Sequence, residues 1–501
     1  MKRVLISDQY VGSHRVLQPR NPGIARLLGV VLTGFLCVRA LAAREVPRDL
    51  LALERQGMRV GAAFALNGRV VAAHRADEPM NPASVTKVFT AALALAVLGA
   101  DASVETRVVA AGEGAARPVI AVIGGGDPML EAADLRDLAR CVRKAGVSEV
   151  GRLVVDTGPF NSDALPPAYD QKNTDAPYRA GVGGLQVNFN RLLVHVVPTR
   201  PGAPPDVRVE PDSSYVRVQV EAVTATPPKK RAKRAPPLRV TAEPDPSGGL
   251  LVRVSGSVTG RPPIAVATRV PQPATHAGHV FRASLSEAGV RVVEGPAIAR
   301  APEGAVVLCA HRSPPVRAML IPMLKESQNQ VAESLLRLCG AANASGRPVG
   351  FAEGAEALRK FLIQKVGLPA GAFQFQNGSG LYDANRVSAR AVVHLLEYAR
   401  RHPEMAPLLD ALPVAARDGT MKNRFKNTPL EGRLRAKTGT LDRAVSLAGT
   451  VELDPARTLT FAILVEGDQK IPAAAVRRAM DRAIVQIANA TGRSTRPARR
   501  R

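Results

Sequence analysis

The chain has 501 residues, with 68 lysines and arginines against 43 aspartates and glutamates, a formal net charge of +25. Hydrophobic residues make up 46%, enough for a large core and more than one domain, which excludes a disordered chain. Aromatic residues are only 4% with no tryptophan, and no segment matches a nucleic-acid-binding motif, which argues against a base- or sugar-stacking surface.

A basic lead (Lys2, Arg3, Arg15, Arg20, Arg26) precedes a short apolar run over residues 27–38, and Ala40-Leu41-Ala42 follows. The run is too short for a confident membrane span and reads as a secretory signal over residues 1–42, which places the mature chain outside the cytoplasmic membrane, in the periplasm or cell envelope. Next, Asn81-Pro82-Ala83 leads into Ser84-Val85-Thr86-Lys87 and an alanine-rich, proline-free apolar stretch over residues 88–98. This predicts a buried helix with Ser84 in its first turn and Lys87 on the same face. A serine that merely caps a core helix has the same local signature.

Gly124-Gly125-Gly126 reads as a turn, because no lysine or serine follows as a phosphate loop requires. A helix over residues 132–145 and a strand over 151–156 come next. Alternating runs such as Tyr215-Val216-Arg217-Val218 and Leu250-Leu251-Val252-Arg253-Val254 predict a small β-rich unit over 201–275. Lys229, Lys230, Arg231, Lys233 and Arg234 lie within it, bracketed by proline pairs, and read as an exposed loop. His276-Ala277-Gly278-His279 has metal-like spacing, but without a third ligand nearby it reads as a loop.

Cleavage after Ala42 would leave Cys141, Cys309 and Cys339. Three thiols cannot all pair within the chain; a Cys309–Cys339 bridge and buried free thiols are both open. Ser327-Gln328-Asn329 falls between apolar runs at 319–324 and 331–338, on a helix–helix connection whose polar tip can face a cleft. Lys437-Thr438-Gly439-Thr440 precedes strand-like runs at 446–453 and 459–465, so it is expected on a strand at an open sheet edge, with Gly439 leaving room for a substrate backbone alongside. Arg493, Arg496, Arg499, Arg500 and Arg501 form a basic tail over residues 491–501. The basic segments suit peripheral attachment to an anionic envelope polymer or membrane; solvated flexible side chains explain them equally well.

S-x-x-K, S-x-N and K-T-G in this order match the layout of active-site-serine enzymes that open D-alanyl peptides or β-lactam rings. The long interval between Ser84 and Ser327 resembles the class C penicillin-binding proteins, the D-alanyl-D-alanine carboxypeptidase/endopeptidases of peptidase family S13, which insert domains there. Gly126-Asp127-Pro128-Met129-Leu130, Asp156-Thr157-Gly158-Pro159-Phe160, Leu185-Gln186-Val187-Asn188-Phe189-Asn190, Asn377-Gly378-Ser379-Gly380-Leu381, Leu412-Pro413-Val414 and Asp418-Gly419-Thr420-Met421 resemble further family segments.

The resemblance implies an α/β, multi-domain chain. A transpeptidase-like domain from residues 43–95 and 305–490, an antiparallel sheet with helices, would be interrupted by an inserted domain (96–200 and 276–304) and the nested β unit. It implies a serine D,D-peptidase acting on peptidoglycan stem peptides, inhibited by β-lactams, with no cofactor or metal. A β-lactam-hydrolysing enzyme and a non-catalytic wall-binding scaffold are the alternatives.

The expected catalytic roles follow from acyl transfer. Ser84 attacks, and Lys87 takes its proton once burial and Lys437 depress its pKa. Ser327 relays a proton to the leaving amine, and Asn329 holds the substrate amide. Lys437 with Thr438 or Thr440 holds the terminal carboxylate, while the N–H groups of Ser84 and Thr440 face the oxyanion. The family resemblance, not the chemistry, implies that Asp156 and Phe160 bind substrate, with Asp156 at the peptide's third residue. The family arginine expected at position 383 is Asp383 here, which leaves the partner for a carboxylate at that residue open.

Overall fold

Residues from opposite ends of the chain build one sheet. In the computed structural model, which describes residues 45–112, 117–226, 236–246, 248–260, 262–468 and 471–492, strand Arg59–Leu66 lies between Arg69–His74 and Arg457–Glu466. Ala444–Asp454 and the edge strand Leu434–Leu441 complete five antiparallel strands. The leader, the block at residues 229–234 and the terminal arginines lie outside the described residues. Among those described, no helix is long and apolar enough to cross a membrane.

Alternation along the central strands sorts their side chains onto two cores. Val60, Ala62, Phe64, Phe461, Ile463 and Val465 face helices Arg48–Glu54 and Ala473–Gly492. Ala63, Ala65, Ala448 and Ala462 turn the other way, and these small residues let helix Ala389–Arg401 approach the sheet closely, with helices Thr86–Val97 and Asn329–Ala341 in the same core.

A second sheet has the order Arg291–Ile298, Glu149–Asp156, Val119–Ile123, Glu105–Ala111, Val306–Arg312, with helices Ala132–Lys144 and Pro273–Glu287 sharing its apolar core. Smaller sheets, one of Arg191–Val197, Asp206–Glu210 and Ile264–Arg269 and another of Val216–Val220, Arg239–Pro244 and Leu250–Ser255, meet over a separate core. The α/β architecture with insertions, one of them β-rich, is therefore as expected. Two strands fall across the boundaries read from the sequence. Arg191–Val197 pairs with Ile264–Arg269 in the small sheets, and Val306–Arg312 pairs with Glu105–Ala111 in the inserted one.

Two local expectations are corrected. His276 and His279 lie on helix Pro273–Glu287, not a loop. His276 is buried 5.3 Å from the Tyr215 ring, burial lowers its pKa to about 3, and His279 Nδ1 lies 2.9 Å from the Ser214 hydroxyl. The disulfide joins Cys141 to Cys309, with Cα atoms 6.3 Å apart, and Cys339 is a buried free thiol. Cys339 sits on a helix in the core of the five-stranded sheet, whereas Cys141 and Cys309 share the core of the inserted one.

Candidate active site

The serine turn is held from both sides. Ala83–Val85 forms one 3₁₀ turn that runs into helix Thr86–Val97, which brings Ser84 and Lys87 onto one face. Asn81 Oδ1 accepts the Ala83 N–H at 2.9 Å, and the Ser446 hydroxyl, on the strand beside Leu434–Leu441, donates to the Pro82 carbonyl at 2.6 Å. The serine is thereby fixed against the edge strand. Gly439 belongs to this contact: a Cβ there would lie 2.1 Å from Ser446 Oγ and 2.9 Å from Ala83 Cβ. The glycine is thus required by packing against the serine turn, and the free space expected for a substrate backbone is not what its missing side chain provides.

Lys87 is fully buried. Its Nζ donates to Ser84 Oγ at 3.0 Å, Asn329 Oδ1 at 2.7 Å and the Ser379 carbonyl at 2.8 Å. Asn329 opens helix Asn329–Ala341, directly after the helix-to-helix connection that carries Ser327, whose φ of 63° is in the left-handed region. Asn329 Nδ2 donates to the Tyr178 carbonyl at 2.9 Å. Lys437, also fully buried, donates to Ser327 Oγ at 3.0 Å and to the Thr438 carbonyl at 2.9 Å. The three short segments thus converge as their spacing predicts, with K-T-G on an edge strand. A cleft of about 690 Å³ opens over them, lined by Ser84, Ser327, Asn329 and Thr440.

The model of the D-Ala-D-Ala carboxypeptidase 3 (S13) family matches residues 45–490. The chain belongs to this family. A D-alanyl-D-alanine carboxypeptidase of Actinomadura sp. (strain R39) is 33% identical over 411 residues, 78% of this chain and 74% of that one. Carboxypeptidase DacB of Mycolicibacterium smegmatis is 30% identical over 405 residues, 77% and 71% of the two chains. Among solved structures, penicillin binding protein 4 of Haemophilus influenzae superposes with a TM-score of 0.75 at 23% identity, covering 88% of this chain and 99% of that one, which shows a shared fold. The protein is accordingly a serine peptidase of the S13 type.

Electrostatics suit an S13 peptidase. Burial, and then the neighbouring Lys437, hold the Lys87 amine well below the ordinary lysine range, with Glu333 pulling back weakly. Burial lowers Lys437 to about 7. Replacing Lys437 by methionine removes a like charge beside Lys87, so the Lys87 pKa rises. The acid limb of the acylation rate against pH should then move to higher pH, measured by stopped-flow with a chromogenic β-lactam between pH 5 and 10. An unmoved limb would show that the two lysines are not coupled.

Glu333 escaped the sequence reading. It is buried one turn after Asn329, and its carboxylate accepts the N–H groups of Gly378 at 2.9 Å and Ser379 at 2.8 Å. It therefore fixes the loop whose Ser379 carbonyl receives Lys87. The Tyr169 hydroxyl, 3.3 Å from Glu333 and 2.8 Å from Ser379 Oγ, closes the same network. The signal available in the sequence was a lone carboxylate in the apolar run 331–338, on the same helical face as Asn329.

Asp156 and Phe160 are not among the residues lining the cleft. Asp156 accepts from Gly158 N and Ala301 N, both at 2.9 Å, and pairs with Arg300 at 3.0 Å. Phe160 is buried with its ring 4.2 Å from the guanidinium of the buried Arg337, which also stacks on Phe351 at 4.7 Å. Arg337 donates to the carbonyls of Asp163, Asn161, Val182 and Val349, tying the loop after Asp156 to helix Asn329–Ala341. Arg337→Ala should lower unfolding stability by at least ~3 kcal/mol, since it opens a cavity and strands these carbonyls. Urea denaturation would measure it, and a loss under 1 kcal/mol would contradict this role. Asp383, in the lining of the cleft, pairs with Arg386 at 2.6 Å and receives Asn81 Nδ2 at 3.1 Å.

Proposed function

We propose that Ser84 is the nucleophile of a D,D-peptidase acting on peptidoglycan stem peptides outside the cytoplasmic membrane. The observation that carries this reading is a buried lysine amine, depressed in pKa, 3.0 Å from Ser84 Oγ. Neutral Lys87, its two N–H groups directed at Asn329 Oδ1 and the Ser379 carbonyl, takes the Ser84 proton on its lone pair as Oγ attacks the carbonyl carbon of the penultimate D-alanine. The N–H groups of Ser84 and Thr440 receive the oxyanion. Ser327, hydrogen-bonded to Lys437, passes a proton to the departing amine as the C–N bond breaks, and the proton held by Lys87 replaces it, which returns Lys87 to its neutral form.

The product is an ester on Ser84 plus either free D-alanine or the freed amine of a cross-link. Water, deprotonated by the same Lys87, attacks the ester and restores Ser84. Asn329, held between Lys87 and the Tyr178 carbonyl, is placed to orient the substrate amide. β-Lactams present a strained amide in place of the scissile D-alanyl bond and acylate Ser84. One solved relative in fold, penicillin binding protein 4 of Haemophilus influenzae, is known as a complex with a β-lactam. Attachment of the basic segments to an anionic envelope polymer is part of the same reading.

Incubation with defined monomeric and cross-linked muropeptides, followed by mass analysis, tests it. Loss of terminal D-alanine marks carboxypeptidase action, and conversion of dimer to monomers marks endopeptidase action. Unchanged muropeptides in the presence of folded protein that still binds penicillin would overturn hydrolysis and leave a wall-binding scaffold.

A further inference from the structure

The expected holder of the substrate's terminal carboxylate, Lys437, is poorly placed for that task. Its amine is fully buried, engaged by Ser327 Oγ and the Thr438 carbonyl, and lowered by burial to about 7, so that it loses its charge around neutral pH. The hydroxyls of Thr438 and Thr440 stand on the other side of the edge strand, by the alternation that buries Lys437 and Gly439. Thr438 donates to the Thr420 hydroxyl at 2.8 Å. The Thr440 hydroxyl instead accepts a hydrogen bond at 3.3 Å from the guanidinium of Arg477.

Arg477 belongs to helix Ala473–Gly492, and its neighbours Val476, Ala479 and Met480 are buried in the core shared with Val445 and Leu447. Its backbone is therefore fixed relative to the edge strand. The cations that line the cleft are each paired: Lys172 with Asp442, Arg386 with Asp383, Arg443 with Asp468. Among the described residues Arg477 has no ion-pair partner.

From this arrangement we propose that Arg477 binds the C-terminal carboxylate of the peptide substrate, together with the Thr440 hydroxyl. The proposal rests on the reading that Ser84 cleaves D-alanyl peptides and adds a residue to it. A hydroxyl that accepts from a guanidinium keeps its own proton to donate, and a guanidinium has five N–H groups of which this contact uses one. A carboxylate seated on Thr440 thus receives one hydrogen bond from the hydroxyl and a charge-assisted one from Arg477.

The test uses the full chain, its Arg477→Ala and Arg477→Lys variants, and two substrates: a stem pentapeptide ending in D-alanyl-D-alanine and the same peptide as its C-terminal amide. The wild type should prefer the free acid. In Arg477→Ala, kcat/KM for the acid should fall about tenfold to a hundredfold, mainly through KM, while the amide is hydrolysed as before. Its KM for the acid should also climb as pH rises past about 7, where Lys437 discharges. Arg477→Lys should restore part of the loss. Equal losses on both peptides, no loss on either, or a wild type blind to the terminal charge would each overturn the role of Arg477. A wild type that cleaves neither peptide would instead refute the reading beneath it.

Discussion

Ser84→Ala is expected to abolish the covalent adduct with penicillin and to lower D-alanine release by about 10⁴- to 10⁶-fold, while the protein stays folded. Ser84 Oγ lies at the cleft, in the turn that runs into a helix, and 3.0 Å from the Lys87 amine, which burial holds well below the ordinary lysine range. Ser327 Oγ lies beside Lys437, but it opens no helix and its backbone is in a strained left-handed conformation suited to aiming a proton donor. Removing Ser84 Oγ costs one hydrogen bond from Lys87, whose bonds to Asn329 and the Ser379 carbonyl remain. Circular dichroism and the melting temperature should therefore be close to wild type, which separates lost chemistry from lost fold.

The second large effect concerns Lys87. Lys87→Met should slow acylation about 10²- to 10⁴-fold, the usual contribution of a general base. Lys87→Arg keeps a cation but should be as slow, because guanidinium cannot be deprotonated to accept the Ser84 proton. If Lys87 acted only as a positive charge, the arginine variant would retain activity.

The same lysine has a stability signature. Folding lowers its pKa from the ordinary lysine value of 10.5, mainly by burial, so between the folded and unfolded values the unfolded chain holds the extra proton. Unfolding free energy must then rise with pH across that window. The burial cost is full below the folded pKa and gone above about 10.5. The melting temperature of Lys87→Met relative to wild type should therefore decline as pH is raised toward 10.5. A difference independent of pH would mean that Lys87 titrates normally.

What could be read from the sequence is what local spacing controls. Three-residue spacing on a helix brings Ser84 to Lys87, two apolar runs bracket Ser327 on a helix connection, and alternating runs after Lys437 mark the edge strand. What escaped depends on segments distant in the chain. The Asp156 carboxylate looks free in the sequence, yet Arg300 and Ala301 occupy it, and the crossing of helix Ala132–Lys144 over strand Val306–Arg312 decides which cysteines pair. Gly439 seemed open to substrate because the sequence does not reveal that Ser446 and Ala83 pack on it. Glu333 and Arg477 carry no motif at all; each matters through one loop or one hydroxyl that the fold brings to it.

The most direct test of the central claim is the mass of the intact protein after incubation with benzylpenicillin, followed by peptide mapping. We predict a single added penicilloyl group, located on the peptide containing Ser84 and absent in Ser84→Ala. No adduct on folded wild-type protein, or an adduct that survives in Ser84→Ala, would contradict it.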